Sequence, residues 1–284
     1  MNITAEHIRF SYTPHHETPR EVFRSITLSI PAGECIGILG REGSGKTTLL
    51  SILGGLTKPS EGSLRIDGAD PHAGRGREGI RLNMGFTLQF PEEQFIRQTV
   101  TDEFRDMLGL RGVPPVEILS RMEKSLHLMG LDPGTFASRS PFSLSLGESR
   151  RLALALLIAI RPAVALLDEP TSGLDASGVA CAVRALREMS QRGATLIIAT
   201  HDVNLLAEVA GKVVILDSGA IAAEGRAEEI LADEALLGAH GYGLPEVVTV
   251  ASALRREGRL DGRVVLRFED LCERAGVPPA SGLT

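Results

Sequence analysis

A chain of 284 residues, 43% of them hydrophobic, is long enough for one large domain with an appendage or for two modest domains. Thirty basic residues against thirty-six acidic leave a net charge of −6, and only four of the basic residues are lysines, which excludes a polybasic tail and argues against a nucleic-acid partner. The three cysteines, Cys35, Cys181 and Cys272, are far apart, lack metal-ligand spacing and suit a reducing compartment.

Met1–Tyr12 mixes polar and apolar residues and carries no charged-then-apolar leader pattern, so no secretion signal is expected. Ile26, Leu28 and Ile30 alternate with polar residues and predict a half-exposed antiparallel strand ending at the Pro31-Ala32-Gly33 turn. Cys35–Leu39 is continuously apolar, as a buried parallel strand should be. It runs into Gly40-Arg41-Glu42-Gly43-Ser44-Gly45-Lys46-Thr47 and then a helix-like run, Thr47–Leu56. Strand, glycine-rich loop and helix in that order make a phosphate cradle: the glycines let backbone N–H groups converge on phosphate oxygens, and the helix start adds partial positive charge. Lys46 is placed to reach the β- and γ-phosphates, Thr47 to offer its hydroxyl to Mg²⁺, with Thr48 beside it.

Further along, Gly74-Arg75-Gly76-Arg77-Glu78-Gly79 is short, lacks interleaved aromatics and reads as a solvated loop rather than a nucleic-acid segment. Met84–Leu88 is strand-like, and residues 91–161 read as a helical insertion with turn signals at Gly112-Val113-Pro114-Pro115 and Asp132-Pro133-Gly134. The longest apolar run, Leu152–Ile160, is less than half the ~20 residues a membrane-spanning helix needs. The protein is therefore expected to be soluble or attached through partners. Val164–Leu167, Leu196–Ala199 and Val213–Leu216 complete a set of buried strands, and their alternation with helices predicts an α/β fold with a mostly parallel sheet. Asp168 and Glu169 stand at the carboxyl end of one such strand, where open parallel sheets bind ligands. Asp168 is placed to hold Mg²⁺ through water, and Glu169 to orient and deprotonate the water attacking the γ-phosphate. After Asp217-Ser218-Gly219 the composition shifts, and a small C-terminal module is expected over 220–284, with Ile230, Leu231, Val247, Val250 and Leu254 facing a core, a strand at Val264–Phe268 and a helix at Glu269–Ala275.

Between the phosphate loop and the acids lies Leu144-Ser145-Leu146-Gly147-Glu148; after the acids come Ser172-Gly173-Leu174-Asp175 and Thr200-His201-Asp202. This order over roughly residues 3–225 resembles the ATP-binding cassette (ABC) ATPases, with their Walker A loop, glutamine loop, signature, Walker B acids, D-loop and switch histidine. The resemblance implies a P-loop NTPase core over 1–219, carrying an antiparallel β subdomain and the helical insertion at about 91–161, with a C-terminal α/β extension. It implies ATP and Mg²⁺ as the bound cofactors. Tyr12 would stack on adenine, Gln89 would sense Mg²⁺ and the attacking water, His201 would contact the γ-phosphate, and Asp175 would organise a dimer interface. Ser145, Gly147 and Glu148 would complete the nucleotide site of a second cassette subunit, the same chain or a different one. Two departures stand out: Leu146 occupies the place of a signature glycine and Glu148 that of a glutamine, from which slow hydrolysis at the site this signature completes is expected.

Gln89-Phe90-Pro91-Glu92-Glu93-Gln94-Phe95, Thr99-Val100-Thr101-Asp102-Glu103 and the tail Leu236-Leu237-Gly238-Ala239-His240-Gly241 with Leu244-Pro245-Glu246 are similar to the ATPases of energy-coupling factor transporters. That likeness implies a transmembrane coupling subunit, a membrane subunit that binds a vitamin or transition-metal ion, and a place at the cytoplasmic face of the membrane. A soluble repair or translation cassette would show coiled coils, tandem cassettes or a basic face; a P-loop kinase or GTPase would leave the signature region without a role. A weakly hydrolysing regulatory cassette remains compatible with the altered signature.

Overall fold

The computed structural model describes residues 1–12, 20–73 and 77–277. The expectation for Gly74–Gly76 lies outside them, whereas Arg77-Glu78-Gly79, read as loop, opens a short helix.

The chain begins with two long strands, β1 (Ile3–Tyr12) and β2 (Arg20–Ile30), paired antiparallel with Ile3 opposite Ile30 and Phe10 opposite Phe23. β3 (Cys35–Leu39) leads through the phosphate loop into α1 (Lys46–Leu53). That helix stops short of Leu56 because Gly54 and Gly55 follow, the second with φ +65°. β4 (Glu61–Ile66) returns to β1, α2 (Arg77–Leu82) follows, and β5 (Met84–Thr87) enters the central sheet. The expected insertion is helical: α3 (Val100–Gly109), α4 (Pro115–Leu128), α5 (Pro133–Phe136) and α6 (Leu146–Ile160). The core then alternates β6 (Val164–Asp168), α7 (Ala176–Gln191), β7 (Thr195–Thr200), α8 (Val203–Val209) and β8 (Lys212–Asp217). β9 (Ala220–Arg226), α9 (Ala227–Ile230), α10 (Glu234–Ala239), α11 (Glu246–Arg256) and α12 (Phe268–Ala275) close the chain.

Two sheets form. One is antiparallel, in the order β2-β1-β4; the other has six strands, β5-β6-β7-β3-β8-β9, parallel except for the β8/β9 hairpin. Successive side chains of the buried strands point to opposite faces, and both faces are apolar, which is why the runs read as continuous rather than alternating. Ile36, Ile38, Val164, Leu166 and Ile197 pack with α1 and the antiparallel sheet. Leu39, Ala165, Leu167, Leu196 and Ile198 pack with α6 and the helices of the insertion and C-terminus. Every residue of Leu152–Ile160 is buried there, so the longest apolar stretch is core, each large side chain contributing about 1.5–3 kcal/mol.

The C-terminal residues differ from expectation in three ways. Residues 220–226, assigned to a separate module, form β9, whose backbone pairs along β8 and completes the main sheet. Val264–Phe268 is not a strand: residues 264–267 lack regular structure and Phe268 starts α12. No ladder partner is offered to that segment, and the preceding carbonyls of Asp261 and Arg263 take hydrogen bonds from Arg255 instead. On α11 the buried stripe is Val247, Val248 and Ala251, while Val250 is exposed. Leu231, Leu237, Val247 and Leu271 share the core cluster of α6 and the sheet.

Candidate functional site

The carboxyl ends of β3, β6 and β7 open into a cavity of about 830 Å³ lined by the phosphate loop, Tyr12, Thr47, Thr48, Gln89, Asp168, Glu169, Ser172 and His201. At its floor Gly45, with φ +102°, turns the loop into α1; a Cβ there would come within 2.7 Å of Phe23, so the turn and the packing both require glycine. Gly45 offers no capping side chain, which leaves first-turn N–H groups of α1 without the usual cap and available to an anion. Ser44 Oγ is buried with no hydrogen-bond partner among the described residues, a second donor waiting at the same spot.

Lys46 is almost fully buried, and its Nζ donates to the carbonyls of Gly40 at 2.7 Å and Arg41 at 3.2 Å while lying 3.5 Å from Glu169 Oε1. Thr47 Oγ1 donates to Asp168 Oδ2 at 2.5 Å. Burial raises the Asp168 carboxyl above its ordinary range, partly offset by the Thr47 hydroxyl. These two hard oxygen donors, side by side beneath an anion site, suit Mg²⁺, which favours one or two protein oxygens together with phosphate oxygens and water. Among the described residues no group of three or more His, Cys, Asp or Glu is arranged to hold a metal, so a cation here depends on the nucleotide to complete its shell.

Glu169 sits in the left-handed region, φ +48°, a conformation costly for a non-glycine residue. It is held there: its N–H donates to Ala199 O at 2.8 Å, Thr200 Oγ1 donates to its Oε2 at 2.8 Å, and His201 Nδ1 lies 2.9 Å from its Oε1. Thr200 in turn accepts from Asp202 N, and Asp202 caps α8 through Asn204 and Leu205 N–H. The Thr200-His201-Asp202 step therefore serves the carboxylate and the next helix together.

Tyr12 is half exposed and lines the cavity, its hydroxyl 3.1 Å from Thr48 Oγ1 and its ring perpendicular to that of Phe10 with centroids 5.0 Å apart. Gln89 lines the same cavity with the phosphate-loop residues Arg41, Glu42, Gly43 and Ser44, whereas Gly40 is buried behind them and does not line it, offering its carbonyl to Lys46.

Ser145, Gly147 and Glu148 do not join this cavity. Ser145 caps α6 by accepting from Glu148 N at 3.3 Å, and its own N–H donates to Glu148 Oε2 at 2.8 Å. The Glu148 carboxylate closes the helix end, where that N–H holds it below its usual range and Arg139 pairs with it at 3.1 Å. Leu146 is half exposed against the Gly173 segment: a Cβ on Gly173 would lie 3.3 Å from Leu146 Cδ2.

Two participants escaped the sequence reading. Arg150 is buried on α6, donating Nη1 to the carbonyl of Glu169 at 2.9 Å and Nη2 to that of Gln89 at 2.8 Å, so one guanidinium ties the two loops together. Its position at the polar-to-apolar transition of the signature helix was the available signal. Tyr242, from beyond α10, also lines the cavity. Nothing local in Gly241-Tyr242-Gly243 announces that.

A family model described as ABC transporter matches residues 23–172. The chain belongs to the ABC transporter family. Within it, this cassette is 32% identical over 262 residues to the energy-coupling factor transporter ATP-binding protein EcfA2 of Clostridium perfringens, covering 91% of each chain. It superposes on a dimeric ATP-binding cassette, MJ0796, in a post-hydrolysis state bound to ADP and Pi, with TM-score 0.72 and 27% identity over 79% of this chain and 98% of that one. It also superposes on cbiO1 from Clostridium perfringens, part of the ABC transporter complex cbiONQ, with TM-score 0.71 and 27% identity over 90% and 96%. Among its described residues no helix is long and apolar enough to cross a membrane.

Proposed function

We propose that this cassette is the ATP-hydrolysing subunit of an energy-coupling factor importer, acting as one of two cassettes that enclose nucleotide between them and drive membrane-embedded partners. One observation carries the reading: Lys46, Thr47, Asp168, Glu169 and His201 converge on one cavity, while Ser145 and Gly147 at the start of α6 are not among its lining residues. A signature that cannot reach its own chain's phosphate loop gains a purpose if it meets the loop of a second subunit. The dimeric, ADP-bound cassette that shares this fold supports that arrangement.

In this reading Lys46 leaves the loop carbonyls for the β- and γ-phosphates, and first-turn N–H groups of α1 and Ser44 Oγ meet phosphate oxygens. Thr47 and Asp168 hold Mg²⁺, which when bound neutralises charge on the transferred phosphoryl group. Glu169 accepts the proton of the attacking water, with Thr200 and His201 fixing its orientation. Tyr12 covers the base. Because nucleotide contacts both subunits only when they close, its differential affinity shifts the open–closed equilibrium, and cleavage reverses the shift.

Attachment at the cytoplasmic face, through a coupling subunit seated near Gln89 and the helical insertion, is supported by the likeness to EcfA2 and to a component of cbiONQ. The exposed side chains of Leu88, Phe90 and Ile96 border that region. Substrate choice, a vitamin or a transition-metal ion, would rest with the membrane subunit. Purification from membranes with identification of the co-purifying chains tests the whole reading: recovery with a second cassette and integral membrane chains is expected, and recovery of the cassette free of membrane partners with full ATP turnover would overturn it.

A further inference from the structure

The C-terminal segment reaches back across the phosphate loop. Arg41 Nε donates to the carbonyl of His240 at 2.9 Å, and His240 Nδ1 lies 3.0 Å from Asp217 Oδ2 at the end of β8. Between them Gly241 adopts φ +80°, and a Cβ there would come within 1.5 Å of Arg41 Nη2, so the guanidinium occupies the space any side chain would need. Farther along, Glu246 N–H donates to Oδ1 of Asn204 on α8, three residues beyond His201. The segment is thus tied at one end to the loop that takes phosphate and at the other to the helix that follows the switch histidine.

Tyr242 lies between these ties. Its N–H donates to Leu237 O at 2.9 Å, and its side chain forms part of the cavity wall with Arg41, Glu42, Glu169 and His201. Its hydroxyl is buried with no hydrogen-bond partner among the described residues. A buried, unpaired phenol is unfavourable in itself, and here it belongs to a residue that lines the chamber read as receiving an oxygen-rich anion. Burial pushes the phenol up to about 12, so it stays protonated and able to donate at neutral pH.

We propose that Tyr242 is a further substrate-contacting residue of this ATPase, supplied by the C-terminal strap and donating its phenol to the γ-phosphate when the cavity is filled. The inference rests on reading the cavity as the ATP site. The hydroxyl is covered, so the proposed contact requires the strap and the phosphate loop to adjust as the nucleotide binds.

The test is equilibrium binding of a nonhydrolysable β,γ-imido ATP analogue and of ADP, each with Mg²⁺, to the full chain. Tyr242→Phe is expected to weaken the ATP analogue about tenfold, leave ADP unchanged, and leave the nucleotide-free melting temperature equal or higher, because the lost hydroxyl had no partner. Gly241→Ala, which forces Arg41 off the strap, should give the same selective loss. Equal losses for both nucleotides, or undiminished binding of the analogue to Tyr242→Phe, would overturn the proposal. Lys46→Ala in parallel should lose the analogue; if it does not, the reading of the cavity fails first, and the proposal with it.

Discussion

His201 Nδ1 and Glu169 Oε1 are 2.9 Å apart, and that same carboxylate oxygen also faces Lys46 Nζ at 3.5 Å. His201, the candidate base Glu169 and the phosphate-loop Lys46 therefore meet at one carboxylate oxygen. Glu169→Gln retains a side-chain oxygen able to accept from Thr200 but gives up proton affinity. Nucleotide binding should persist while single-turnover hydrolysis slows by about 10²–10⁴. His201→Ala should slow turnover and spare affinity; a loss confined to affinity would assign His201 to binding instead.

Asp168 gives a prediction of opposite sign for stability and function. Its carboxyl is raised by burial, so in the nucleotide-free protein its ionised form is a cost at neutral pH. A raised folded-state value means that the favourable contribution is fully present below the unfolded value and is lost as pH rises through the folded one. Asp168→Asn should therefore stabilise the nucleotide-free chain at pH 7 while abolishing Mg²⁺-dependent hydrolysis. The stability gain should shrink as pH falls through the raised value and vanish below the ordinary aspartate range, as followed by denaturant titration at several pH values.

Arg150→Met should leave the carbonyls of Gln89 and Glu169 without their shared donor, a loss of about 1–3 kcal/mol in unfolding free energy. Arg150→Lys, which can serve one carbonyl but not both, should lose less. Chemical denaturation of both variants measures the difference, and equal losses would mean that bridging is not what Arg150 supplies.

Leu146→Gly tests the altered signature. The leucine is half exposed at the first position of α6, so its removal should cost no more than about 1 kcal/mol of stability, the helix penalty of glycine. In the assembled complex it should raise ATP turnover by clearing the approach of the helix end to phosphate. Unchanged turnover in the complex would remove the basis for a slow site.

The sequence made the parallel core readable because its strands are apolar on both faces, and it made the phosphate loop and Walker acids readable because their chemistry demands fixed residues at fixed spacing. Contacts between distant segments were harder to read. The strand at Ala220–Arg226 alternates buried only in part, and its place was set by pairing with β8 rather than by its own composition. Val264–Phe268 has strand-forming residues yet no partner strand, so propensity yielded to topology. Glu148 looked like a misplaced charge until its helix-capping partner and Arg139 were in view. Arg150 and Tyr242 act through carbonyls and through a cavity that exist only after folding.

The fifteen residues of α6 begin at the Ser145 cap and pass Arg150 on the way to a fully buried end. One helix therefore carries both the Ser145 tip and the guanidinium that holds this chain's own Gln89 and Glu169 carbonyls. In the proposed two-cassette arrangement, tilting the tip against a partner would tug at the home pocket through the same lever, giving each catalytic centre a mechanical means to register the occupancy of the other.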